Sequence, residues 1–179
     1  MLTRILIGVV AAGAAVIGVP GVAGADPEPA PPPPPPNANA FAPLKASDFS
    51  MQNGEVYAFA APGDIACVMS RGSGMYGCSG PIPAAPNNAN AVTGSQQGPA
   101  SFANADRPLY IFDTLPKRLP AGSRINFRNV ACGTDGTMTV CNNNFDGGGF
   151  VISPTGSFII EPNNPLLLNT GEGHNPYFN

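Results

Sequence analysis

From Pro43 onward the chain alternates short apolar or aromatic runs with clusters of Pro, Gly, Asn and Ser. Glu55-Val56-Tyr57-Ala58-Phe59 is rich in strand formers, and Pro62-Gly63 punctuates its end. Ile65 to Ser70 reads as a second strand, Arg71-Gly72-Ser73-Gly74 as a turn, and Met75 to Cys78 as a third strand. Gly80 to Gly98 is low in complexity and reads as a long loop. Leu109 to Thr114, apolar and aromatic at its start, is expected to be a strand. Pro120-Ala121-Gly122 suits a turn, and Arg124 to Arg128 then alternates with period two. That period places Ile125 and Phe127 inward and Arg124, Asn126 and Arg128 outward on one face. Thr137 to Cys141 is a further strand, and Phe150 to Ile152, Ser153-Pro154-Thr155-Gly156 and Phe158 to Ile160 form a hairpin. No long window carries helical periodicity with good helix formers. The pattern predicts a mostly β domain over 44–165, a small antiparallel barrel or sandwich, followed by a flexible tail over 166–179.

The first 43 residues have a different pattern. Arg4, the uncharged apolar run Ile5 to Val19, the break at Pro20-Gly21 and the small residues Ala23-Gly24-Ala25 make residues 1–25 a secretory signal, with cleavage before Asp26. The competing reading is an uncleaved anchor, because Ile5 to Gly24 is long enough to span a bilayer. Residues 26–43 are a Pro-rich spacer. Pro27, Pro29 and Pro31 to Pro36 fix φ and lack N–H groups, so this stretch is expected in polyproline II at about 3.1 Å per residue. It would hold a domain away from a wall or membrane, serve as a ligand for a Pro-binding module, or be a plain disordered tail.

Export to an oxidising compartment gives meaning to the four cysteines. Three pairings are open. Cys67–Cys78 and Cys132–Cys141 are favoured, since each pair brackets one turn between two strands. Pairing Cys67 with Cys78 sets Met69 opposite Tyr76. A two-residue turn at Asp135-Gly136 would set Cys132 opposite Thr139, so a longer loop is expected there. Neither a Cys-x2-Cys motif nor a Cys/His cluster is present to suggest zinc, and no cofactor motif occurs.

Phe59-Ala60-Ala61-Pro62-Gly63-Asp64-Ile65-Ala66-Cys67 resembles the Phe-x-x-Pro-x-Gly-x-Ile-x-Cys opening of an uncharacterised actinobacterial exported domain, common in mycobacterial secreted proteins. Leu119, Gly122, Cys132, Val140-Cys141-Asn142 and Gly149-Phe150-Val151-Ile152-Ser153 are similar to that domain's closing segment. The opening is one residue short between Pro62 and Ile65, Gly148 stands where a His is common, and the family's Trp and middle cysteine pair are missing. The resemblance implies export and a Cys-stapled β domain, with no activity to carry over.

Composition narrows the function. Gly and Pro contribute 22 residues each, 11% of the chain is charged, and net charge is −3. A general nucleic-acid binder is excluded by that balance. Cleavage would also remove any membrane span. His174 stands in a Gly-rich tail. Asp146 beside Gly147-Gly148-Gly149 hints at a calcium loop, but a single carboxylate is local. Asp106 and Asp113 flank a predicted strand and are the candidate acid/base pair. Positive charge gathers in Lys117, Arg118, Arg124 and Arg128, and Arg124 and Arg128 would lie about 13 Å apart on one strand face. This is the candidate anion-binding strip, suited to an anionic cell-envelope polymer or an acidic protein. The expected function is a secreted or envelope-associated, non-enzymatic binding module. The alternative is a secreted hydrolase whose Asp and Ser residues meet only on folding. A small inhibitor presenting Gly80 to Gly98 is a weaker third reading.

Overall fold

The computed structural model describes residues 34–163. The residues read as a signal, the start of the expected spacer and the stretch 164–179 with His174 lie outside the described residues. The described chain is mostly β, and its helical turns are short 3-10 segments. Its strands are β1 (Ala42–Leu44), β2 (Ser50–Met51), β3 (Val56–Ala61), β4 (Ile65–Ser70), β5 (Tyr76–Ser79), β6 (Ala91–Gly94), β7 (Ser101–Ala103), β8 (Ser123–Phe127), β9 (Val130–Thr134), β10 (Thr139–Asn143), β11 (Gly149–Ile152) and β12 (Phe158–Ile160). They form two six-stranded sheets, in the orders β2-β3-β4-β5-β6-β7 and β1-β8-β9-β10-β11-β12. The sheets do not close into a barrel. All pairings are antiparallel except β1 with β8.

One core joins the two sheets. Phe59, Ile65, Cys67, Met69, Tyr76 and Cys78 from the first sheet share a buried cluster with Ile125, Val130, Cys132, Cys141 and Phe150 from the second. Tyr76 stacks on Phe150 with ring centroids 5.8 Å apart, and Tyr57 meets Phe127 edge-on at 5.1 Å. Both disulfides lie on the inner faces, in the favoured pairing: Cys67–Cys78 across β4 and β5, and Cys132–Cys141 across β9 and β10. Met69 stands opposite Tyr76 as expected. The loop after β9 is four residues long, with Thr134 opposite Thr139. Asp135 organises it, its Oδ1 accepting from the backbone N–H of Thr137 at 2.8 Å and of Met138 at 2.7 Å.

Four expectations need correction. The presumed loop at 80–98 contains β6, and β7 follows at Ser101–Ala103. Small residues (Ala91, Gly94) give β6 little strand signal, yet they let β6 lie against Tyr76 and β5. Leu109 to Thr114 is not a strand: it belongs to a strap crossing the outer face of the first sheet. Asn37 to Pro43 does not continue as spacer. Ala38 is fully buried on the outer face of the second sheet with Ala131, Val140, Val151 and Ile160, and its N–H donates to Asn142 Oδ1 at 2.7 Å. Finally, β8 ends at Phe127, so Arg128 lies in the two-residue turn before Val130 and off the strand face of Arg124. β9 and β10 are buried along their whole length because both of their faces are covered, which hides the period-two pattern.

Candidate functional site

The strap, residues 104–118, is held by side chains and by an edge. Asn90 pairs with Ala105 through both amide atoms, each at 2.8 Å. Leu109 N donates to Ser79 Oγ at 3.2 Å, and Gln52 Nε2 donates to the Ile111 carbonyl at 3.3 Å. At its far end Ala60 N donates to the Lys117 carbonyl at 3.0 Å, and Leu119 N to that of Ala60 at 3.2 Å. The last two bonds form an isolated parallel bridge of Arg118 with Ala60 of β3, whereas Leu109 to Thr114 is held by side chains, so an apolar run that reads as a strand becomes a cover. Tyr110 is its anchor. A Cβ at Gly77 would lie 2.7 Å from the Tyr110 hydroxyl and 2.3 Å from the Val92 carbonyl oxygen, so only glycine admits that packing. The hydroxyl is buried without a hydrogen-bond partner, and burial pushes the phenol up to about 12.

Beside the anchor lies a cleft of about 370 Å³. Val56, Val68, Met75, Leu109, Ile111 and Phe112 form most of its wall, with Gln52, Ser70 and Ser73 as its polar groups and no charged side chain. Met75, Leu109 and Ile111 are exposed at 45%, 46% and 71%. Apolar side chains thus stand in water around an uncharged hollow.

The predicted anion strip is dispersed. Arg124 is committed to structure: its Nη1 donates to the Asn39 carbonyl at 2.9 Å and to the Phe41 carbonyl, and its Nε to Asn126 Oδ1 at 3.0 Å. It fastens the N-terminal segment to β8. Lys117 sits 5.0 Å above the Phe49 ring, and Arg118 lines a separate cleft with Asp64 and Leu115. Arg128 is turned toward the first sheet, where its Nη2 donates to the Arg71 carbonyl at 3.1 Å. Arg71, whose sequence context marks only a turn, lines one groove with Arg128.

The acids are also apart. Asp106 lines a cleft with Ser79, Asn90 and Arg107, while Asp113 lines another with Ser50 and Gln52. Asp146 is buried in the turn between β10 and β11, where Oδ1 accepts from Gly148 N at 2.9 Å and Oδ2 has no partner. Tyr76, whose hydroxyl is likewise unpartnered, is pushed up to about 12 by burial first and by the charge of Asp146 second. Among the described residues no three His, Cys, Asp or Glu side chains gather to hold a metal ion. No helix there is long and apolar enough to cross a membrane. The two disulfides are consistent with an extracellular location. Comparison with protein-family models, curated proteins and solved structures finds no match to the chain.

Proposed function

We propose that this chain is an exported, non-enzymatic binding module that takes up a small, uncharged, mainly apolar molecule beneath its strap. The observation that carries the reading is the cleft of about 370 Å³ walled by aliphatic and aromatic side chains without a charge. Its size falls at the lower end of ligand pockets, and its few polar groups suit orientation of a ligand more than catalysis. The hydrolase reading would draw on Asp106 and Asp113, which line different clefts, or on a Ser–Asp contact. Export rests on the signal-like N-terminus, the resemblance to actinobacterial exported domains and the disulfides.

The test is fluorescence titration of the disulfide-intact protein with the uncharged apolar dye Nile red, with n-octanol as competitor. Binding should saturate, yield to octanol, and weaken about tenfold in Met75→Glu and Ile111→Glu, both exposed positions whose change leaves the core alone. Unsaturable binding, or variants that bind like the parent, would overturn the assignment.

A further inference from the structure

A second feature borders the apolar cleft, on the edge where Tyr57 of β3 meets Phe127 of β8. Arg71 stands over the Tyr57 ring at 5.7 Å, and Arg128 over the Phe127 ring at 5.2 Å. Both arginines line one groove of about 630 Å³ with Glu55, Val56, Ser70, Gly72 and Phe127. The hydrogen bonds they make are single ones to backbone carbonyls, Arg71 Nη1 to Gly54 at 2.7 Å and Arg128 Nη2 to Arg71 at 3.1 Å. A guanidinium has five N–H donors, so each keeps most of its capacity for a ligand. Two like charges from distant parts of the chain are thus brought together and oriented by aromatic faces.

The backbone pays for this arrangement. Arg128 has φ +51°, at the first position of its two-residue turn. Glycine and asparagine adopt that conformation with less strain, and here an arginine holds it. An outlier of this kind at a convergence of charge is a sign of a site.

We infer that Arg71 and Arg128 form a binding site for an oxyanion group, a carboxylate, phosphate or sulfate, presented to the groove from solvent. The planar forks of the two side chains suit groups with two or more acceptor oxygens. Glu55 is the opposing charge in the groove and sets a limit on affinity. The groove shares Val56 and Ser70 with the apolar cleft, but neither arginine lines that cleft, so loss of anion binding and loss of apolar binding are read separately.

The experiment follows the arginine Nε–Hε signals of the disulfide-intact protein by two-dimensional NMR during titration with inorganic phosphate, sodium acetate and, as a salt control, sodium chloride. Arg71 and Arg128 should shift together and saturably with phosphate and acetate, and not with chloride. Arg124, already bound to Asn39, Phe41 and Asn126, should stay still, and Arg107 and Arg118 should report only non-specific binding. Arg71→Gln and Arg128→Gln should each weaken phosphate binding about tenfold, while Glu55→Gln strengthens it severalfold. A response to phosphate alone would restrict the site to phosphate-like groups and overturn the broader class. Equal shifts at Arg107 and Arg118, or a Glu55→Gln protein that binds no better, would overturn the site itself.

Discussion

Tyr110→Phe examines how the strap is held. Folding takes the Tyr110 hydroxyl out of water and gives it no hydrogen-bond partner, pressed as it is against Gly77. An unsatisfied polar group of this kind costs about 1–3 kcal/mol. Deleting the oxygen keeps the ring and leaves the Leu109–Ser79 and Ala60–Lys117 bonds in place. The variant should therefore gain about 1–2 kcal/mol at neutral pH. The same burial raises the phenol from 10.0 to about 12, as burial and the charge of Asp146 do for Tyr76. With a raised folded-state value, the native protein keeps its proton while the unfolded chain ionises. Stability is then fully present below pH 10 and is lost as pH rises toward about 12. The slope is about 1.4 kcal/mol per pH unit for each tyrosine, and the fall at most about 3 kcal/mol for each. Tyr110→Phe should abolish roughly half of that alkaline loss. Urea unfolding with disulfides intact, at neutral pH and in steps through the alkaline range, measures both effects. A neutral-pH loss of about 1 kcal/mol or more in the variant would refute the reasoning, because it would mean that the hydroxyl contributes a hydrogen bond.

Gly77→Ala should destabilise by about 3 kcal/mol in urea unfolding, since its methyl would meet the Val92 carbonyl oxygen at 2.3 Å and backbone yields poorly. Asp146→Asn keeps an acceptor for Gly148 N–H and removes the charge, so Tyr76 should titrate lower, read as tyrosinate absorbance against a Tyr76→Phe control. Replacing both Cys132 and Cys141 by Ala should cost about 3 kcal/mol, as expected for a loop closed across a separation of 9 residues, measured by thermal unfolding. Intact mass of the secreted protein should correspond to a chain beginning at Asp26; a species that retains Met1 to Ala25 would refute cleavage.

What the sequence made legible was local. The Pro/Gly turns located the hairpins, and cysteines on either side of one turn gave the register of β4 with β5 and of β9 with β10. What it concealed depended on distant partners. Ala38 looks like spacer until Asn142, 104 residues away, is seen to accept from its N–H. Leu109 to Thr114 has strand composition, but its backbone partners are side chains, Ser79 Oγ and Gln52 Nε2, and these turn it across the sheet. Arg128 extends the alternation of β8 by one residue in the sequence because no Gly marks the turn there, so the basic residues read as one strip although β8 ends at Phe127. Arg71 carries no signal in its own turn, and its role emerges only from the approach of Arg128, 57 residues further on.

The disulfides and the core also divide their work in a way that sequence spacing could not reveal. Each disulfide joins neighbouring strands of one sheet, and neither crosses to the other sheet. The sheets are therefore held to each other by packing and a few hydrogen bonds: Tyr76 on Phe150, Tyr57 against Phe127, the cysteines of both bridges within the common cluster, Asn143 Nδ2 donating to the Gln96 carbonyl at 2.9 Å and Arg128 Nη2 to that of Arg71 at 3.1 Å. The cleft lies on the far face of the first sheet, and the arginine groove, which shares Val56 and Ser70 with it, extends to Phe127 and Arg128 of the second sheet. A ligand in the cleft would strain strap contacts that lie on one sheet, whereas an anion at Arg71 and Arg128 would tie β4 to the end of β8. Anion binding should then oppose separation of the sheets directly, and apolar binding only through the stability of one of them.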